Sequence, residues 1–104
     1  MEIKIFWSAL AEDQLKNIFD YYKEVAGERI AKRIINQIVE RVTILEKNPR
    51  AGQKEELLKE YSEEFRYLVE SNYKIIYWIN SNIITISSVF DCQQNPEKMK
   101  ELKK

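Results

Sequence analysis

Histidine is absent from this 104-residue sequence, and cysteine occurs once, as Cys92. The absence of histidine removes the most common general base and the most common metal ligand from any candidate site. A single cysteine cannot form an internal disulfide, which favours a reducing compartment, and without a second cysteine a structural zinc site is not expected. The sequence therefore predicts a cytoplasmic protein that needs neither a metal nor another cofactor.

Glycine and proline are scarce, with two of each, which excludes collagen-like and low-complexity architectures. The 17 basic residues balance 17 acidic ones, so bulk charge gives no indication of nucleic-acid binding. No apolar run approaches the ~20 residues that span a bilayer, and residues 1–7 lack the pattern of a signal peptide. The length and the 44% hydrophobic content predict one domain, residues 1–104, with one core.

The N-terminal half predicts a short strand at residues 2–7 and then two amphipathic helices. Ser8 suits the N-cap of the first helix and Gly27 its C-terminal stop. The second helix is predicted from about Glu28 to Lys47, where Asn48-Pro49 ends it. Because the link between the helices is short, they should form an antiparallel hairpin.

The C-terminal half is rich in β-branched and aromatic residues and predicts three strands, joined by tight turns into an antiparallel meander. These strands are expected at residues 65–70, 73–79 and 83–90. Between the helices and the meander, Arg50–Glu64 is polar and locally acidic, and its Leu57, Leu58 and Tyr61 allow a short helical turn. Asn95-Pro96 predicts the start of a final helix.

The predicted element order, β-α-α-β-β-β-α, indicates an α+β fold. The helical hairpin should pack on one face of a small antiparallel sheet of four strands. The opposite face should stay partly open, where a ligand or partner could bind. The spacing does not fix the strand register, so it leaves open which residues of neighbouring strands share a face.

Four segments carry a resemblance to a known family. They are Trp7-Ser8-Ala9, the ILEKNPRAG run at residues 44–52, FRYLV with YKIIYW at residues 65–69 and 73–78, and ISSVFDCQQNP at residues 86–96. In this order and spacing they resemble the RelE/ParE superfamily of toxins from type II toxin–antitoxin systems, which includes plasmid stabilisation proteins. The resemblance implies a helical hairpin on an antiparallel sheet and a toxin neutralised by a cognate antitoxin.

The superfamily has two main branches with different targets. RelE-like members cut messenger RNA on the ribosome, whereas ParE-like members poison DNA gyrase and have no established hydrolytic site. RNA cleavage needs a base, an acid and cations that offset charge on the phosphorane. The expected set in this sequence is Arg66, Lys74 and Tyr77. Without histidine, the other candidates for these roles are Tyr73, Lys54 and Lys59. A tyrosine base would need its pKa lowered far from ~10.

Several features favour the ParE-like branch. Related chains often carry an arginine two residues after the aspartate of the last motif, where this chain has Gln93. The neutral charge and the acidic Arg50–Glu64 connection also weaken the nuclease hypothesis. We therefore expect a ParE-like gyrase inhibitor, with a ribosome-dependent endoribonuclease as the alternative. A third hypothesis is a non-toxic member that only binds a partner protein.

The expected target-binding residues are Arg66, Tyr73, Lys54 and Lys98, with Arg66 at a concave rim of the sheet. A purely structural role for Arg66 would be an ion pair with Glu64 or Glu70, or stacking on the ring of Tyr67 or Tyr77. Tyr73 and Tyr77 could likewise be ordinary sheet aromatics. Leu10, Ile30 and Ile44 are expected to leave an apolar groove on the helices for an antitoxin helix.

Overall fold

The computed structural model describes residues 2–91, which form two helices packed against a five-stranded mixed sheet. The helices are α1 (Ala9–Ala26) and α2 (Glu28–Thr43), and a 3-10 turn, Ile44–Glu46, continues α2. The strands are β1 (Lys4–Trp7), β2 (Gln53–Lys54), β3 (Phe65–Glu70), β4 (Tyr73–Asn80) and β5 (Ile83–Asp91). Neither helix in this part of the chain is long and apolar enough to cross a bilayer. The predicted final helix, Gln93 and Lys98 lie outside the described residues.

The helical hairpin forms as the sequence predicts. The Ser8 side chain accepts a hydrogen bond from the backbone N–H of Ala11 at 3.0 Å, which caps the first turn of α1. Gly27 joins the two helices with a φ of 99°, a backbone conformation that residues with a side chain rarely adopt. Its N–H donates to Lys23 and its carbonyl accepts from Ala31, so one glycine ends α1 and begins α2.

The predicted meander is confirmed, and two further features of the sheet were not expected. The strand order is β1-β5-β4-β3-β2, and β1 pairs with β5 in parallel, so the sheet is not wholly antiparallel. A pattern of alternating apolar residues predicts a strand but not its direction. Parallel pairing needs a long connection, which the chain between β1 and β5 supplies. The second feature is β2, a two-residue edge strand inside the connection that the sequence predicts to be a loop.

The register divides the sheet side chains between two faces. Arg66 pairs with Tyr77 and Leu68 with Ile75, and these four residues lie on the face that α1 and α2 cover, the helix face. Residues between them on the same strands therefore point to the opposite face. These are Phe65, Tyr67, Val69, Lys74, Ile76 and Trp78.

Each face has its own apolar cluster. The main core lies between the helices and the helix face, with Ile38, Leu45 and Ile84 almost fully buried. On the opposite face, Leu58 packs with Phe65 and Ile76. Leu58 belongs to a 3-10 turn, Glu56–Leu58, which confirms the predicted helical turn and covers part of this face.

A β-bulge interrupts the pairing of β4 with β5. Tyr77 pairs with Ile86 but Ile76 pairs with Ser88, which leaves Ser87 as the extra residue. The Ser87 hydroxyl donates to the carbonyl of Ile76 at 3.3 Å, and its own carbonyl accepts from the Ser8 hydroxyl at 3.0 Å. The bulge is thus tied to the start of α1.

Candidate functional site

Tyr77 anchors the loop formed by Pro49–Gly52, which we call the anchored loop. The side chain lies in the middle of β4 on the helix face and is fully buried. Its hydroxyl donates to the carbonyl of Pro49 at 2.8 Å and accepts from the N–H of Gly52 at 2.9 Å. Both hydrogen-bonding roles of this phenol are therefore used to hold the loop against the sheet.

Gly52 fits this contact because it has no side chain. A Cβ at this position would lie 2.5 Å from the carbonyl oxygen of Tyr67 and 2.7 Å from the hydroxyl of Tyr77. Backbone and phenol would both have to move to accept it. The glycine at the end of the ILEKNPRAG segment is thus explained by close packing on β3 and β4.

Arg66 is part of the same structure. Its Nη1 donates to the carbonyl of Gly52 at 2.7 Å, and its Nε donates to Glu64 Oε2 at 2.6 Å. Only 14% of its side chain is exposed. The Arg66 guanidinium therefore holds the anchored loop in place, and its predicted role in target binding stays a prediction. Of the two ion pairs considered for Arg66, with Glu64 or with Glu70, the structure shows the pair with Glu64.

Positive charge gathers around Glu64. Arg50 Nε lies 3.8 Å from Glu64 Oε2, and Lys54 stands opposite Arg66 in the pairing of β2 with β3. The hydrogen bond from Arg66, together with the charges of Arg66, Arg50 and Lys54, lowers the pKa of Glu64. Three cations thus surround one carboxylate. We call Arg50, Lys54, Glu64 and Arg66 the basic cluster.

Lys74 lies on the opposite face, away from Arg66 and Tyr77. Its Nζ is 2.5 Å from Glu55 Oε1 and 4.2 Å from the centre of the Tyr67 ring. Only 4% of the Glu55 side chain is exposed, and its other oxygen accepts from the N–H of Leu57 at 3.2 Å. Within residues 2–91 Glu55 Oε1 is buried and accepts no hydrogen bond, so the ion pair with the Lys74 ammonium is what compensates its charge.

The sheet therefore separates the three residues considered for RNA cleavage. Arg66 and Tyr77 share the helix face, while Lys74 is paired with a buried glutamate on the other side. Burial raises the pKa of Tyr77, which opposes the shift that a general base would need. Together these contacts describe a scaffold that holds loops, with exposed cations at its edge.

Tyr73 occupies a third location, at the first position of β4. Burial, a hydrogen bond with Tyr22 and the charge of Asp91 raise the pKa of Tyr73. It lies four residues from Tyr77, about 13 Å along the strand, so it does not contribute to the basic cluster. The structure therefore brings Lys54 and Arg66 together but not Tyr73.

The raised pKa of Tyr77 predicts a loss of stability in alkaline solution. An unfolded tyrosine ionises near pH ~10, whereas buried Tyr77 stays protonated to higher pH. The unfolded chain then holds fewer protons than the native one, so the free energy of unfolding falls as pH rises above about 10. We expect a shallower fall in Tyr77→Phe, measured by urea unfolding from about pH 9 to about pH 11. Equal slopes in the two proteins would contradict this prediction.

Comparisons with known proteins agree with this fold. A family model, the ParE toxin of the type II toxin–antitoxin system parDE, matches residues 5–96. A solved structure described as the chromosomal ParDE toxin–antitoxin system from P. aeruginosa is similar, with a TM-score of 0.71 at 21% sequence identity. The match covers 86% of this chain and 95% of that one. A comparison of the sequence with curated proteins gives no match.

Proposed function

This chain belongs to the ParE toxin family of type II toxin–antitoxin systems, and on that premise we propose that it inhibits DNA gyrase by binding and is neutralised by a cognate antitoxin in the cytoplasm. The match of the family model to residues 5–96 is the observation that carries the proposal. It includes every residue of the anchored loop and the basic cluster.

The contacts of the candidate residues support inhibition by binding over RNA cleavage. Arg66 and Tyr77 hold the anchored loop, and Lys74 neutralises Glu55, so each has a structural partner. A phosphate clamp needs cations whose donors face the substrate, whereas the observed contacts of Arg66 and Lys74 are made to groups of this chain. Exposed Lys54 and Arg50 at the sheet edge can instead meet an acidic protein surface.

We place the target contact at Lys54 and Arg50, with Arg66 positioning the loop that carries Arg50. Lys54 lies on the edge strand β2 and is exposed, and 62% of the Arg50 side chain is exposed. Tyr73 and Lys98 stay predicted target-binding residues. Charge complementarity at such an edge would affect association with the target more than the stability of the toxin.

The test is a supercoiling assay with purified gyrase, relaxed plasmid and the chain alone. We expect inhibited supercoiling and trapped cleavage complexes. The Lys54→Glu variant should need about tenfold more protein for the same inhibition, which corresponds to a loss of about 1.4 kcal/mol in the free energy of binding. Lys16→Glu is the matched control, because Lys16 is an exposed lysine on α1 whose side chain is 75% exposed. Normal supercoiling at high excess of the wild-type chain would refute gyrase inhibition.

A parallel assay addresses the alternative target. Translating ribosomes with messenger RNA should give no new cuts in the presence of the chain, and new cuts would favour the RelE-like function. Normal growth on induction, in a host with suitable gyrase and ribosomes, would favour the third hypothesis of a binding module without toxicity.

Exposed apolar side chains on the helices support an antitoxin partner. Tyr21 and Val25 on α1 are 60% and 59% exposed, and Ile44 beyond α2 is 39% exposed. Leu10 and Ile30, also expected in the groove, are half-buried. Adding the cognate antitoxin should restore supercoiling at an equimolar ratio, and continued inhibition would contradict the proposed neutralisation.

A further inference from the structure

The strand β1 has one unpaired side at the end of the sheet. It is the outermost strand in the order β1-β5-β4-β3-β2, and it pairs with β5 on its inner side. The N–H groups of Lys4 and Ser8 face this inner side, where they donate to carbonyls of β5 and of the turn before it. Backbone groups of successive residues point to opposite sides of a strand, so those of Ile3, Ile5 and Trp7 point outwards. We call this side the outer edge of β1.

The other edge of the sheet is protected in a way that β1 is not. There β2 covers part of β3, and beyond β2 the Nε of Arg41 donates to the carbonyl of Val69 at 3.2 Å. A charged side chain placed on an edge in this way hinders pairing with a further strand. Within residues 2–91, no side chain forms a comparable hydrogen bond with Ile5 or Trp7. The outer edge of β1 is therefore the edge at which this sheet can be extended.

Exposed side chains lie beside the outer edge on the face opposite the helices. Ile5 and Trp7 pack against the main core, so Lys4 and Phe6 point to the opposite face. The Phe6 ring is 61% exposed, and Lys4 is exposed as well. Ile83, which pairs with Lys4, is 44% exposed. Unpaired backbone groups next to exposed apolar side chains make an edge that readily pairs with another strand.

We propose that the outer edge of β1 pairs antiparallel with β1 of a second copy of this chain, about a two-fold axis at Ile5. Ile5 then faces Ile5 of the second copy. On the helix face Ile3 of each copy lies opposite Trp7 of the other, and on the opposite face Lys4 lies opposite Phe6. The pairing forms about six backbone hydrogen bonds and joins the two sheets into one. Because the axis is two-fold, the same contacts occur twice and the assembly closes as a dimer.

Charge complementarity selects this register and favours a second copy as the occupant. With the axis at Ile5, each Lys4 ammonium meets the Phe6 ring of the other copy, which attracts a cation, and its stem covers part of that ring. Moving the axis to Lys4 would set two ammonium groups directly opposite each other, which is destabilising. Moving it to Phe6 would set Ile3 opposite Ala9, where α1 has begun, and would lose the hydrogen bonds of Ile3. The strand is thus complementary to itself in one antiparallel register.

The first experiment measures the mass of the full chain by analytical ultracentrifugation. Two short strands bury less than the ~1,200 Å² of a standard interface, so the mass should rise from 12.5 kDa toward twice that value only at high protein concentration. Phe6→Lys sets two cations opposite each other and should weaken the dimer about tenfold. Adding Lys4→Glu to that variant should restore the dimer, because each introduced lysine then faces a glutamate.

Val69→Lys is the matched control. Val69 is a 45% exposed strand residue on the same face of the sheet, at the other edge, so its replacement should leave the dimer unchanged. A chain that stays monomeric at about 1 mM, near the weakest affinity of a specific complex, would overturn the proposal. Failure of Lys4→Glu to restore the dimer of Phe6→Lys would overturn it as well.

The second experiment follows hydrogen exchange of the backbone amides by NMR. The amides of Ile5 and Trp7 should exchange rapidly in dilute protein and become protected as the concentration rises, whereas the amide of Ser8, which donates to Ile86, should be protected throughout. Protection of Ile5 at every concentration would assign the outer edge to another segment of the same chain. Protection that appears only when the antitoxin is added would assign it to the antitoxin. Either result would overturn the proposal, and neither bears on gyrase inhibition, which the supercoiling assay measures separately.

Discussion

Replacing Lys74 with methionine is expected to lower the free energy of unfolding by about 3 kcal/mol, because it leaves the carboxylate of Glu55 buried without its counter-charge. Methionine preserves most of the apolar stem, so the change isolates the ammonium. The ion pair joins β4 to the connection before β3, and its loss should also loosen the turn at Glu56–Leu58. Urea unfolding monitored by tryptophan fluorescence measures the effect.

A double variant tests the reason for that loss. In Glu55→Gln with Lys74→Met no buried charge remains, so we expect most of the stability to return. Lys32→Met is the control, since Lys32 forms an exposed pair with Glu28 at 2.9 Å and its loss should change stability by less than about 0.5 kcal/mol. If Lys74→Met were as stable as the wild type, the ammonium would have no structural role.

The Tyr77→Phe substitution removes one hydroxyl group and should lower the free energy of unfolding by about 2 kcal/mol. The change leaves the carbonyl of Pro49 and the N–H of Gly52 without the partner that holds them in the structure. A buried polar group that loses its partner typically costs ~1–3 kcal/mol. For a chain of this length the midpoint of thermal unfolding should fall by roughly 10 °C, which calorimetry can measure.

The matched control for this variant is Tyr21→Phe, where the ring is 60% exposed and the hydroxyl change should be nearly neutral. Below its unfolding temperature, Tyr77→Phe should retain any activity that does not depend on the anchored loop. Loss of an RNA-cleaving activity without loss of stability would instead indicate a catalytic tyrosine and would contradict the structural role assigned here.

Local sequence signals predicted most of the fold. The helical hairpin begins, turns and ends close to the residues that predict its limits, which are Ser8, Gly27 and Asn48-Pro49. Two short turns define the meander. The first residue of each turn, Ser71 or Ser81, adopts a positive φ, as tight hairpin loops require. The direction of β1 was missed, because residue alternation is the same in parallel and antiparallel strands.

The candidate site was harder to predict, since it depends on register and on contacts distant in sequence. Arg66 and Lys74 both lie in strands, but only the observed pairing shows that they occupy different faces. Glu55 was missed altogether, because nothing local distinguishes it from the neighbouring glutamate at position 56. The resemblance to the family singled out Arg66 but gave no information about the contacts that its guanidinium makes.

The extra residue of β5, Ser87, determines on which face of the sheet each later side chain of that strand lies. Without the bulge at Ser87, regular alternation from Ile86 would place Ser88 and Phe90 under the helices and send Val89 and Asp91 to the far side. The extra residue Ser87 reverses the face to which each later side chain of β5 points. As a result Val89 packs in the main core and Asp91 faces α1. Shortening β5 by that residue would exchange the two layers and remove the acidic group from its tyrosine neighbours.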